Sequence, residues 1–240
     1  MTLAAVIAVI ALATLVRSTF GFGEALIAVP LLAFVIPVKV AAPVAALVSV
    51  TVAAVVLIQD WRHVHLASTA WLIVSTLAGI PLGLLLLTRV PEPIVKAMLA
   101  VIIMGFAAQA LRSPAWRLEN DRWAWLFGFV AGVLGGAYGM NGPPLAMYGS
   151  LRRWSPAEFR ATLQGYFLPA SAVGVAGYWL AGLWTPSVTW FYLASLPVVA
   201  VAVIAGRVLN RRLVGDRFTS AVYMGLLVVG AVLLLTLFVI

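Results

Sequence analysis

The chain has 240 residues, of which 64% are hydrophobic and 9% charged, where a soluble domain carries about a quarter charged residues. So apolar a composition excludes a water-soluble fold and puts the chain in a membrane. Cysteine is absent, which excludes disulfides, thiolate metal sites and a cysteine nucleophile. The net charge of +8 does not point to nucleic acid, because the basic residues fill short breaks between apolar runs, as in cytoplasmic membrane loops.

Residues 2–36 are apolar but interrupted by Ser18-Thr19-Phe20-Gly21-Phe22-Gly23-Glu24. No Lys or Arg stands in the first five positions, so this stretch reads as a retained membrane segment and not as a signal peptide. A spanning helix needs about 20 mostly apolar residues. Runs at 41–59, 66–88 and 94–111 meet that need, separated by Asp60-Trp61-Arg62-His63 and by Arg89 to Pro93. A polar linker, 112–122, carries Arg112, Arg117 and Arg122. A second interrupted region, 123–151, is broken by the run Gly135-Gly136-Ala137-Tyr138-Gly139-Met140-Asn141-Gly142-Pro143-Pro144. Spans at 160–182, 187–209 and 218–240 complete the chain, and polar or Pro-marked breaks divide them.

The order of a broken segment followed by three spans thus occurs twice. A shift of 118 residues places Gly21 on Gly139 and Trp61 on Trp179, and a shift of 116 places Pro81 on Pro197. These features predict an all-α membrane protein forming one domain from two repeats, about 1–111 and 123–240. If each broken region is a hairpin, the repeats are inverted. One side then collects Arg62, the linker arginines, Arg152, Arg153, Arg160 and the arginines of 207–217, while the other holds Lys39, Arg89 and Lys96. If each crosses once, eight spans in parallel repeat follow, and the charge split is less marked. Both arrangements put 152–160 and 207–217 in the cytoplasm and the C-terminus outside. The inverted arrangement is preferred, since discontinuous helices in inverted repeats recur among secondary transporters.

The two breaks carry the candidate chemistry. Glycine-rich backbone at membrane depth must line a cavity or be buried in protein. In each break glycines precede a short apolar helix, and a helix start presents unpaired N–H groups suited to an anion. Gly21, Gly23, Gly139 and Gly142 are therefore candidate substrate-binding positions, with Asn141 as an oxyanion donor. The alternative is that the glycines only permit close packing, which is the expected role of Gly128, Gly132 and Gly136 at four-residue spacing. Arg17 and Glu24 are ionisable groups inside an apolar region, where charge is costly and functional by default. Arg17 suits an anion and Glu24 a coupling proton; the plainer readings are an Arg17–Glu24 ion pair, or Glu24 capping its own helix. Gln164 and Ser171 share a helix face beside Pro169, which frees the Gly165 carbonyl and predicts local opening. Ser49 and Thr51 are weaker candidates. His63 and His65 lack further ligands for a metal site, and no catalytic set or cofactor motif stands out. Trp61, Trp123, Trp154 and Trp184 fit the interfacial aromatic belt.

The run GFGEALIAVPLL from Gly21 to Leu32 resembles the opening glycine-rich signature of the TauE/SafE sulfite-exporter family. GGAYGMNGPPL from Gly135 to Leu145 is similar to that family's second motif. The chain departs from the first pattern at Glu24, where the family often has another Gly. The resemblance implies secondary transport of sulfite, sulfonates such as sulfoacetate or related small anions across a bacterial inner membrane. A passive anion channel or a non-transporting scaffold are the alternatives. Expected partners are the small anion, the lipid bilayer, a coupling proton and, as an assembly open to it, a second copy of the chain.

Overall fold

The computed structural model describes residues 2–60, 66–111 and 118–212, with isolated helical positions between 224 and 235. It is 87% helix and has no strand among the described residues. The helices are α1 (Thr2–Phe20), α2 (Glu24–Leu32), α3 (Val38–Asp60), α4 (Leu66–Arg89), α5 (Glu92–Ala110), α6 (Ala124–Tyr138), α7 (Gly142–Leu151), α8 (Pro156–Leu180) and α9 (Pro186–Arg212), with a 3₁₀ turn at Asp121–Trp123. Five of them, α1, α3, α4, α5 and α9, are long and apolar enough to cross a membrane. Helix α8 has the length, at 25 residues, but is not among them, and it buries Gln164, Tyr166, Ser171 and Tyr178. It continues as α-helix through Pro169, so the expected opening beside that residue is not seen. The expected span at 218–240, His63, His65 and most of the linker 112–122 lie outside the described residues.

Polarity is distributed inside out. Large apolar side chains such as Val201, at 68% exposure, Ile204, Val101 and Val74 face outward, while Arg17, Glu24, Asn141 and Gln164 are buried. Water would penalise that arrangement and hydrocarbon does not, so the chain is a multi-pass membrane protein.

Both broken regions stop their first helix in the same way. Gly21 (φ +86°) and Gly139 (φ +65°) adopt the left-handed conformation that favours glycine. Their N–H groups donate to the carbonyls of Arg17 at 2.6 Å and Gly135 at 2.8 Å, satisfying orphan carbonyls at each helix end. The break proper is three residues long in each case, 21–23 and 139–141, so Ser18 to Phe20 and Gly135 to Tyr138 remain helical. Helices α2 and α7 are nine and ten residues long, each about 15 Å or less, and neither can cross a bilayer.

The offset of 118 read from the sequence also relates helix boundaries: α1 ends at Phe20 and α6 at Tyr138, α2 starts at Glu24 and α7 at Gly142, α3 starts at Val38 and α8 at Pro156. Packing follows the same exchange. Helix α4 lies along α6 and α1 along α9, two pairs that the exchange interconverts, while α3 packs on α8, its own counterpart. Small residues make the closest of these seams. A Cβ added to Gly79, Gly83, Gly128, Gly132 or Gly136 would stand 2.1–2.4 Å from a carbonyl oxygen of the facing helix, so no larger residue fits between α4 and α6 at this separation.

Candidate functional site

The two breaks meet. A Cβ on Gly142 would lie 4.0 Å from the Gly23 backbone nitrogen and 3.8 Å from the Phe167 ring. Between them is a cavity with about 300 Å³ of empty space, its mouth included. Gly23, Glu24, Ala25 and Leu26 line it from the start of α2, and Gly139 to Pro143 from the second break and the start of α7. Arg17 of α1, Ser49 of α3 and Phe167 of α8 close the remaining sides.

Arg17 is the hub of the polar contacts. It is 3% exposed, as is Glu24, and its Nη1 donates to Glu24 Oε2 at 2.5 Å. The same nitrogen reaches Ser49 Oγ at 2.7 Å, and Nη2 donates to Gln164 Oε1 at 3.2 Å. The guanidinium carbon stands 5.0 Å from the centroid of the Phe167 ring, within range of a cation–π attraction. Thr14 Oγ1 donates to the other Glu24 oxygen at 2.9 Å. Ser49 and Ser171 bring their hydroxyls to 3.4 Å, and Gln164 Nε2 donates to the Gly21 carbonyl at 2.7 Å. The buried Nε of Arg17 has no hydrogen-bond partner. A buried charged donor without a partner is costly.

The expected site residues therefore come together. Arg17, Gly23, Glu24, Gly139, Asn141 and Gly142 line the cavity; Gln164 and Ser171 stand behind Arg17 and Ser49; Gly21 accepts from Gln164. The ion-pair reading of Arg17 and Glu24 is realised, and Glu24 also sits in the first turn of α2, where its charge complements the helix dipole. The two helix starts are not equivalent donors. In α2 the first-turn N–H groups of Glu24, Ala25 and Leu26 are free of intrahelical bonds. In α7 Pro143 and Pro144 have no N–H, leaving Gly142 as the free donor among the first three helical positions. Asn141 turns toward the second half's interior, against Gly135 and within reach of the Tyr166 hydroxyl.

Sequence reasoning passed over Thr14 and Phe167 and ranked Ser49 low. Thr14 and Ser49 were detectable as polar residues inside apolar spans. Phe167 left no signal, because an aromatic residue in a membrane helix is unremarkable until its neighbour is a guanidinium. No group of three or more His, Cys, Asp or Glu residues able to hold a metal occurs among the described residues.

The family model described as "Sulfite exporter TauE/SafE" matches residues 6–233. A curated protein from Cupriavidus necator, described as a probable sulfite/organosulfonate exporter TauE, is 26% identical over 193 residues, covering 78% of this chain and 75% of that protein. No solved structure matches the chain.

Proposed function

The chain belongs to the sulfite exporter TauE/SafE family, a family of transporters and not of enzymes, and on that footing we propose that it is a secondary transporter of a small sulfur-containing or organic anion, sulfite or a sulfonate. The observation that carries this reading is the convergence of the two breaks on one cavity in which Arg17 supplies the cation. Arg17, Ser49 and the start of α2 offer donors to an oxyanion, and Ala25, Leu26, Met140 and Phe167 give the cavity an apolar lining beside them.

In this proposal the repeats, about 1–111 and 123–240, are inverted, and they move against each other across the α3–α8 contact to open the cavity to either side in turn. The shared offset of helix boundaries and the exchange-related packing support the duplication. A proton is the coupling ion. The arginines of 152–160 and 207–217 face the cytoplasm of a bacterial inner membrane, which puts the C-terminus in the periplasm.

Flux into proteoliposomes tests the proposal, using labelled sulfite, sulfoacetate and simple carboxylates with and without an imposed pH gradient. Gradient-driven accumulation of one anion is expected. Gly142→Leu should abolish it while membrane insertion is retained, because the added side chain fills the space between the breaks. Equilibration that ignores the gradient would make the protein a channel, and full activity of the Gly142→Leu variant would move the site elsewhere.

A further inference from the structure

We infer that Glu24 does not bind the substrate but competes with it, acting as the resident anion of the empty site that the substrate displaces as Glu24 takes up a proton. The inference rests on the transporter reading above and adds the coupling step to it. The geometry carries it. Both oxygens of the Glu24 carboxylate are engaged, Oε2 by Arg17 Nη1 and Oε1 by the Thr14 hydroxyl. A carboxylate in that position occupies the guanidinium edge that an incoming oxyanion needs, and Arg17 Nη1 is also the nitrogen that reaches Ser49 across the cavity.

Charge balance decides how the exchange proceeds. The groups around Glu24 are Arg17 and Thr14 from α1, Ser49 from α3 and Phe167 from α8, with Gly139 to Pro143 across the cavity. Arg207 of α9 follows Gly206, which packs on Ser18, and is not among the cavity residues. Among the residues lining the cavity, Arg17 and Glu24 are the charged ones, so the empty site is neutral. Adding a monoanion without any other change would bury a net negative charge beside a carboxylate, which low-dielectric surroundings penalise heavily. If Glu24 instead leaves Arg17 and accepts a proton from the open aqueous side, Arg17 pairs with the substrate and the site stays neutral. On release the proton is lost and the carboxylate returns to Arg17. No covalent bond other than the O–H is made or broken. One monoanion and one proton move together, both carrier forms are neutral, and the direction of flux follows the combined anion and proton gradients. Return of the empty carrier with Glu24 still protonated would leave the Arg17 charge unpaired, which disfavours anion/proton exchange.

The test uses the purified full-length protein and methanesulfonate, whose charge is constant across the neutral range, with sulfite as a second probe. Wild-type protein should take up about one proton per anion bound, read with a pH dye in weak buffer, and its affinity should rise about tenfold per unit fall in pH where Glu24 is ionised in the empty site. Glu24→Gln should bind at least about tenfold more tightly than wild type at the alkaline end and lose the pH dependence. Glu24→Asp should keep the pH dependence. Binding by wild type without proton uptake, or weaker binding by a monodisperse Glu24→Gln protein, overturns the inference while leaving a transporter. Wild-type protein that neither binds nor moves any of these anions overturns the transporter reading and this inference with it.

Discussion

Arg17 shows how one buried charge organises its surroundings. Its partners come from three other helices, α2, α3 and α8, and together they replace much of the hydration the guanidinium gives up. A buried ion pair adds little net stability, because desolvation offsets its attraction; removing one partner is a different matter, since the other is left as an unpaired buried charge. Arg17→Gln should therefore destabilise the protein by about 3–5 kcal/mol, and the double variant Arg17→Gln/Glu24→Gln by markedly less. Thermal unfolding of the two proteins in detergent checks this. Equal losses would mean that Glu24 finds a new partner or a proton when Arg17 is gone. The glycines of the breaks divide along similar physical lines. Gly139 has a positive φ, and its Cβ would stand 2.9 Å from the Ala42 carbonyl oxygen, so its role is structural before it is chemical. Gly142 meets ordinary contacts only, which makes it the cleaner probe of the cavity.

Among the helices, α4 and α6 form the closest seam. Their glycines let the two backbones touch, and Thr76 Oγ1 donates across it to the Gly128 carbonyl at 2.8 Å. In a membrane, where apolar side chains gain nothing by avoiding lipid, such close packing is the main source of helix association. Gly132→Val should force the helices apart, costing at least about 1–3 kcal/mol and lowering the unfolding temperature in detergent. A variant as stable as wild type would mean that the seam relaxes without loss. Short α7 is held at its far end by Asp121, whose Oδ1 accepts from Ser68 at 2.7 Å and Tyr148 at 2.8 Å and pairs with Arg152 at 3.2 Å. That cluster ties the linker, α4 and the end of α7 together.

At the scale of the whole molecule, α3 packs against α8, two helices whose starts are related by the offset of 118. Ser49 and Ser171 face each other there with 3.4 Å between hydroxyl oxygens. The chain has no cysteine, so a Ser49→Cys/Ser171→Cys protein offers one defined crosslink. If the halves move against each other during transport, oxidation should lower flux at least about tenfold, the order expected when a required conformational step is blocked, and reductant should restore it. Undiminished flux in the fully crosslinked protein would place the moving boundary away from this pair.

Much of this was legible in the residues alone. Hydrocarbon imposes a length and an apolarity on every spanning helix, so α3, α4, α5, α8 and α9 begin and end within a few residues of the runs that announce them. Glycine is the residue that a left-handed helix stop favours, so Gly21 and Gly139 mark both breaks in the sequence itself. The glycine stripe of α6 was visible by its spacing, while Gly79 and Gly83, which complete the seam from α4, were not, because nothing in a sequence says which helix faces which. The same limit governs the site. Composition singled out Arg17, Glu24 and Gln164 as out of place in an apolar chain, but their partnership spans up to 147 residues of separation. Only the tertiary packing of α1, α3 and α8 around the two breaks decided that Arg17 would meet Glu24, Ser49 and Gln164 at the edge of one cavity. Local physical chemistry sets where a membrane helix starts and stops, whereas contacts between distant helices depend on the complementarity of whole surfaces.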